Sequence, residues 1–393
     1  MLIGVVLGIL ILVFTTASAL RFYERTWTRW QAQWGGAKAQ LKLAAMYETG
    51  RGIARDETQA TLWLRRAADQ GLAQAQAKLA KNYMHGKGVP QDDAQAAQWC
   101  RRAAEQGDVA SQFHLGFLYS AGRGVTRDFT QAAKWFRLAA EKDHGQAQFN
   151  LALLLEAGQG VPQDFKEAAQ WYRKAADGGV AAAQFGLGVM LEKGRGAPLD
   201  MAEAVRLYRR AAAGGHAEAQ YKMGLLHHLG LGVRRDYAEA LEWYRLAADH
   251  GVALAMNDIG LMYSQGHGVE QDERKALDLF RQAAIHALPE AEFNIGTFYY
   301  AGRGVPPDKK EAARQYRRAA EKGYGPAQFN LGVLLAKGDG VPLNYVEAFQ
   351  WLALAAAQKH PQAAALRDAV TRLMTSQQIA EGQQRVSKFI SRK

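Results

Sequence analysis

The sequence predicts an all-α fold: an α/α superhelical solenoid of nine 36-residue helix-turn-helix repeats, preceded by one transmembrane helix. Three observations predict it. A 36-residue pattern returns without insertion or deletion from Ala37 to His360, apolar residues recur within it at helical spacing, and a Gly-x-Gly pair divides every copy. A fixed period of this length marks a solenoid, in which each unit buries its apolar face against its neighbours.

The first half of each copy predicts a helix that ends at glycine. With Ala37 as position 1, small residues stand at positions 3 and 8, an aliphatic at 7 and a large apolar residue at 10. Glycines follow at positions 14 and 16 in all nine copies. They suit a chain that leaves a helix through positive φ.

The second half predicts another helix, opened by an aspartate. Asp occupies position 20 in eight of nine copies, often with Glu three residues later, as in Asp164 with Glu167. This spacing predicts a reciprocal capping box. Ala at positions 24, 31 and 32 never varies, and Trp fills position 27 in six copies. We expect the small residues to let helices approach closely and the indoles to fill the space beside them.

The combined pattern resembles the Sel1-like repeat, a relative of the tetratricopeptide repeat. In the third copy it is carried by these residues: Ser111, Leu115, Gly116, Tyr119, Gly122, Gly124, Val125, Asp128, Ala132, Trp135, Ala139 and Ala140. The resemblance covers residues 37–360. It implies an α/α solenoid that serves as a scaffold or adaptor for other proteins, and it implies no reaction.

Residues 1–20 precede the repeats and predict a membrane anchor. The stretch from Leu2 to Leu20 has no charge, and as a helix it would span about 28 Å, close to the hydrocarbon thickness of a bilayer. A cleaved signal peptide, with cleavage near Ala19, is the alternative. Arg21 and Arg25 follow the span. This favours a single-pass protein of the bacterial inner membrane with a cytoplasmic solenoid.

Two further segments flank the repeats. In the juxtamembrane segment 21–36, Trp27, Trp30 and Trp34 would share one helix face. We expect this face at the membrane headgroups; the alternative is that it covers the open end of the first repeat. Residues 361–393 abandon the period. They predict two capping helices, 363–374 and 377–389.

The composition does not favour a nucleic-acid partner, a disulfide framework or a reactive cysteine. A net charge of +11 without a basic tract predicts no nucleic-acid partner, although a helical-repeat nucleic-acid reader remains an alternative. Arg at position 29 in eight copies is interpreted as a solvated helix face, with a basic stripe for phosphates or acidic peptides as the other possibility. The single Cys100 excludes an intrachain disulfide and suits a core position.

We predict no enzyme, no metal and no cofactor. The ten histidines show no metal-ligand spacing. Some cysteine-rich Sel1-like proteins are linked to penicillin, so a cell-envelope enzyme or penicillin-binding protein is a further alternative. Such chemistry needs Ser-x-x-Lys, and the sequence contains none.

The predicted function is binding of a protein or peptide on a groove formed by the first helices. Position 9 supplies an apolar row: Phe117, Leu153, Val189, Leu225, Leu261 and Val333. Position 6 supplies polar neighbours: His114, Asn150, Lys222, Asp258, Asn294 and Asn330. Aromatic residues at position 5 extend this row or are used in packing between adjacent repeats. The oligomeric state is left open.

Overall fold

A computed structural model describes residues 26–391, and these form 21 helices joined by turns and short loops. Their bounds are α1 26–33, α2 Ala37–Thr49, α3 Glu57–Asp69, α4 Ala73–His85, α5 Asp93–Glu105, α6 Val109–Ala121, α7 Phe129–Ala140, α8 Gly145–Ala157, α9 Phe165–Asp177, α10 Ala181–Lys193, α11 Met201–Ala213, α12 Ala217–Leu229, α13 Tyr237–Asp249, α14 Ala253–Gln265, α15 Glu273–Ile285, α16 Pro289–Ala301, α17 Lys309–Glu321, α18 Gly325–Lys337, α19 Tyr345–Ala357, α20 Ala363–Thr371 and α21 Ser376–Ile390.

The predicted helical repeats are confirmed: each of the nine copies folds as two helices. The chain divides into two compact units, one ending at Ala204 and the other beginning at Val205. From α2 to α10 in the first unit, and from α12 to α20 in the second, every helix packs on the next one along the chain. Each repeat therefore obtains its core from its sequence neighbours, as a solenoid requires.

The two glycines of each loop, at positions 14 and 16, lie in different surroundings. Gly86, at position 14, ends α4 with a φ of 67°, and its amide donates to the carbonyl of Asn82. Gly88, at position 16, also has a φ of 67°, but a Cβ there would lie 2.0 Å from the carbonyl oxygen of Glu57. The loop of repeat 2 thus rests on the first turn of α3 in repeat 1.

Aspartate at position 20 caps the second helix as predicted. The Asp164 carboxylate accepts a hydrogen bond from the Glu167 amide at 2.9 Å. The reciprocal half of the predicted capping box was wrong here, because the Glu167 side chain binds Arg137 at 2.5 Å and accepts from the Trp171 indole at 3.1 Å. A carboxylate gains more from a guanidinium than from a neutral amide.

The core is built from alanines and large side chains that face a glycine. Alanines at positions 24 and 31 are fully buried, as Ala132 and Ala139 show. Phe136, at position 28, packs against Gly116, where a Cβ would lie 2.7 Å from the ring. Cys100 takes the same position in repeat 2 and is buried as predicted. Burial raises the pKa of its thiol to about 12, so Cys100 is a packing residue.

Residues 26–36 continue the repeat in phase, which the sequence analysis missed. Counted backwards from Ala37, Trp27, Arg29, Ala32 and Gly35 occupy positions 27, 29, 32 and 35, where these residue types recur in the repeats. Ala32 is buried, and its carbonyl accepts from Gln40 Nε2 at 3.1 Å. The same contact joins Gln76 to Ala68 at 3.1 Å. α1 therefore corresponds to the later part of the second helix of a repeat.

The predicted anchor, residues 1–20, lies outside the described residues, as do Arg21 and Arg25. Among residues 26–391, no helix has the length and apolar character needed to cross a bilayer.

Two helices follow the last repeat. α20 ends at Thr371, three residues before the predicted limit, because the amides of Leu373 and Met374 turn back to carbonyls three residues earlier. α21 begins at Ser376 with a complete capping box between Thr375 and Gln378. Both helices pack on α19, and Gly382 lies so near Phe349 that a Cβ would approach its ring to 2.6 Å.

Candidate partner-binding surface

Several polar side chains are used to join successive repeats. Glutamine stands at position 4 in seven copies. Its side-chain amide donates to the position-32 carbonyl of the preceding repeat, as from Gln112 to Ala104 and from Gln148 to Ala140, both at 3.1 Å. These buried bonds satisfy carbonyls at the end of each second helix. The recurrence of Gln was visible in the sequence, but the carbonyl that accepts its hydrogen bond was not.

The position-29 arginines also reach the next repeat. Where position 11 of that repeat is tyrosine, the guanidinium donates to its hydroxyl, as from Arg65 to Tyr83 at 2.8 Å. Where position 11 is leucine, the arginine binds Glu at position 23, as Arg137 binds Glu167. The hydrogen bond from Arg137 lowers the pKa of the Glu167 carboxyl. The interpretation as a merely solvated face was therefore incomplete, because these arginines tie repeats together.

A third tie joins position 15 to position 21 of the preceding repeat. Arg123 binds Asp93 at 2.9 Å, and Arg303 binds Glu273 at 2.7 Å. Between repeats 8 and 9 the polarity is reversed, with Lys309 at position 21 and Asp339 at position 15, 2.9 Å apart. These charged side chains are used in contacts between successive repeats.

In the first unit, position 9 presents apolar side chains to solvent. Phe117 is 41% exposed and Leu153 is 42% exposed, while Val189 is half-buried. They follow one another on α6, α8 and α10. Lys81, exposed on α4, occupies the same position in repeat 2. We call Phe117, Leu153 and Val189 the apolar strip.

Basic side chains accompany the apolar strip. Lys42, Lys78 and His114 occupy position 6 in repeats 1 to 3, and His85 lies four residues after Lys81 on α4. His114 and Asn150 are half-buried. Burial lowers the pKa of His114, and the nearby His144 and Lys81 act in the same direction. Since Lys78 lies 3.9 Å from the Glu48 carboxylate, the basic character beside the apolar strip comes chiefly from Lys81.

In the second unit the corresponding residues are more enclosed. Leu225, Leu261 and Val333 are half-buried, and so are the position-6 residues Lys222, Asp258, Asn294 and Asn330.

Part of the polar row of the second unit is engaged internally. Asp258 accepts hydrogen bonds from the Tyr221 hydroxyl at 3.0 Å and from Asn257 at 3.2 Å. Asn294 donates to Asn257 at 2.8 Å. Burial raises the pKa of Asp258, although both hydrogen bonds oppose that shift. Lys222 lies over the ring of Tyr208, with its nitrogen 5.6 Å from the ring centroid.

The position-5 aromatics are half-buried, and Phe113 and Phe329 pack within their own repeats. Phe113 contacts Phe136 with ring centroids 5.9 Å apart, and it stacks on His144 at 4.7 Å. Phe329 stacks on His360 at 4.1 Å. These contacts are packing within one repeat and not the packing between adjacent repeats that was expected, and position 9 carries the exposed apolar side chains.

The histidines and acids of residues 26–391 include no group of three or more His, Cys, Asp or Glu side chains placed to hold a metal ion. His227 is buried, with its Nε2 atom 3.1 Å from a Glu239 oxygen. The adjacent His228 packs against Tyr237 and His267 with ring centroids 5.4 and 6.0 Å away. These rings are part of the packing of the sixth and seventh repeats.

The Sel1 repeat profile matches nine consecutive segments of the sequence. They are residues 37–72, 73–108, 109–144, 145–180, 181–216, 217–252, 253–286, 289–324 and 325–360. None of the curated proteins matches this chain.

Two solved structures are similar over most of the chain. One is a protective antigen present in uropathogenic Escherichia coli strains and displaying an SLR fold; it has 30% identity and a TM-score of 0.62, over 93% of this chain and 86% of its own. The other is a Sel1 repeat protein from Oxalobacter formigenes, with 33% identity and a TM-score of 0.62, over 79% of this chain and 89% of its own.

Proposed function

The chain belongs to the Sel1 repeat family, and from this premise we propose that it is a non-catalytic, membrane-anchored scaffold that binds a protein or peptide on its first helices. Sel1 repeat proteins generally mediate protein–protein interaction. The proposal goes further by naming the surface and the character of its ligand.

The observation that carries the proposal is the exposure of Phe117 and Leu153 at the same position of successive first helices. Large apolar side chains at one position of successive repeats offer separate apolar contacts to a bound peptide. Lys81, exposed at the same position of the preceding repeat, supplies a positive charge, while Lys78 lies 3.9 Å from the Glu48 carboxylate. The ligand that fits is a peptide with spaced apolar side chains next to acidic residues.

The membrane part of the proposal rests on the sequence. Residues 2–20 are uncharged, and Arg21, Arg25 and Arg29 follow them, which favours a cytoplasmic solenoid at a bacterial inner membrane. A tag after Lys393 tests the side of the membrane. We expect the tag to resist protease added to cells whose outer layer is permeabilised. Digestion of the tag on membrane-bound protein would contradict the cytoplasmic placement.

The double variant Phe117→Glu/Leu153→Glu tests the apolar strip. We expect at least about tenfold weaker binding of an apolar–acidic peptide, measured by fluorescence anisotropy, with little change in melting temperature because both side chains are largely exposed. Leu62→Glu is the matched control, since Leu62 is 50% exposed on a second helix. Equal affinity of the double variant and the control would refute the strip as the binding surface.

A further inference from the structure

We propose that the tryptophan face of α1 lies in the headgroup region of the membrane and holds the first repeat against the bilayer surface. This inference rests on the membrane attachment proposed above. The tryptophan face consists of Trp27, Trp30 and Trp34. Its occupant is a bilayer containing anionic phospholipid.

The three indoles form one exposed surface. Trp27 is 46% exposed, Trp30 51% and Trp34 76%. Their rings contact in series, with centroids 5.2 Å apart between Trp27 and Trp30 and 5.8 Å apart between Trp30 and Trp34. Thr28 and Ala32 are buried on the other side of the helix. Turning α1 to hide the indoles would therefore expose the side chains that fix it to the first repeat.

The repeat pattern accounts for tryptophan at position 27 but not for Trp30 and Trp34. Trp27 stands at position 27, where indoles such as Trp99 and Trp135 are buried in complete repeats. Trp30 and Trp34 stand at positions 30 and 34, and none of the nine repeats has tryptophan at either position. Those positions otherwise carry Arg, Lys, Gln, His, Gly or Leu. Repeat packing thus does not account for two of the three indoles.

The position of α1 in the chain brings this face to a membrane. Only residues 21–25 separate the apolar stretch from Thr26, the first described residue of α1. Five residues span at most about 18 Å when fully extended. If residues 2–20 cross a bilayer, α1 begins within reach of its headgroup layer. Indoles favour that layer because they present an apolar body and a polar N–H group.

The charge of this region fits an anionic surface. From residue 21 to residue 42 the sequence has five basic residues and one acidic residue, Glu24. Arg29 and Lys38 are exposed on α1 and α2. Basic side chains near the surface of a membrane are attracted to anionic lipid. A bilayer therefore satisfies both the indoles and the cations, which a second copy of this basic segment would not.

The test uses the full-length protein in vesicles of mixed neutral and anionic phospholipid, some of it brominated to quench tryptophan fluorescence. We expect bromine near the glycerol backbone to quench wild type, and the triple variant Trp27→Leu/Trp30→Leu/Trp34→Leu to lose most of that quenching. Trp243→Leu is the control, because position 27 of repeat 6 is not in the proposed contact, and it should be quenched like wild type. Undiminished quenching in the triple variant would overturn the inference.

Sedimentation of the same vesicles separates this inference from the proposed function. Wild type that remains in the supernatant would overturn both the membrane anchor and the tryptophan contact. Wild type that sediments with the vesicles without being quenched would overturn the tryptophan contact alone. A dimer joined through a cysteine placed by Trp34→Cys, in a Cys100→Ala background, would assign the face to a second copy and also overturn the inference.

Discussion

Single residues in the loops are constrained by backbone shape and by the neighbouring repeat. Positions 14 and 16 are glycine in every copy, and in repeat 2 both Gly86 and Gly88 have positive φ. A Cβ at Gly86 would meet nothing closer than 3.5 Å, whereas at Gly88 it would lie 2.0 Å from a backbone oxygen of repeat 1. The sequence predicted the turn, but it could not show that Gly86 is needed for its backbone conformation alone while Gly88 is also needed for the close approach to repeat 1.

This difference gives a paired prediction. Asparagine tolerates the left-handed region better than other side chains, so Gly86→Asn should cost about 1 kcal/mol of unfolding free energy or less. Gly88→Asn must also displace the start of α3 and should cost about 1–3 kcal/mol more. Chemical denaturation of the two variants measures both values. Equal losses would mean that the approach to Glu57 does not limit this position.

At the scale of the helix, the sequence predicted the helices of each repeat closely, but not the partners of their polar side chains. The capping aspartate, the buried alanines and the packing of Cys100 follow from local spacing, so the sequence sufficed for them. The contacts of Glu167 and Gln148 depend on residues 30 and 8 positions away. Local patterns offer no means of choosing between such partners. For the same reason, the enclosure of Leu225 relative to Phe117 became visible only in the structure.

The tie between α7 and α9 is expected to depend on pH. Glu167→Gln removes the carboxylate that binds Arg137, and since both side chains are partly exposed, the loss at neutral pH should be about 0.2–1 kcal/mol. The pKa of Glu167 is lowered in the folded protein. Its stabilisation is therefore present above the unfolded-state pKa and disappears as pH falls through the folded-state pKa.

Unfolding curves of wild type and Glu167→Gln at several pH values check this. We expect the two stabilities to converge in acid. Glu105→Gln, at an exposed position of α5, serves as the control for removing one negative charge. A difference between wild type and Glu167→Gln that persists unchanged at low pH would show that the Arg137 contact is not the cause.

Across the whole molecule, contacts connect each helix mainly with its sequence neighbours, and the described residues fall into two compact units. A perturbation in one repeat should therefore remain local. We expect Gly88→Asn to speed amide hydrogen exchange in repeats 1 to 3 and to leave repeats 8 and 9 unchanged.

Gly340→Asn is the reciprocal variant, because a Cβ at Gly340 would lie 2.5 Å from the Lys309 backbone. It should speed exchange in repeats 8 and 9 only. Hydrogen exchange read by mass spectrometry resolves these segments. A uniform increase along the chain in either variant would show that the repeats unfold as one cooperative block.

The reversed ion pair between Lys309 and Asp339 limits how a gene for such an array can change its copy number. Because all repeats have the same length, unequal crossing-over can delete or duplicate whole units in frame. Deleting repeat 3 would bring Asp93 opposite Gln159, a neutral neighbour. Deleting repeat 8 would bring Glu273 opposite Asp339, two carboxylates facing each other. Selection on stability should therefore keep the last two repeats together through recombination.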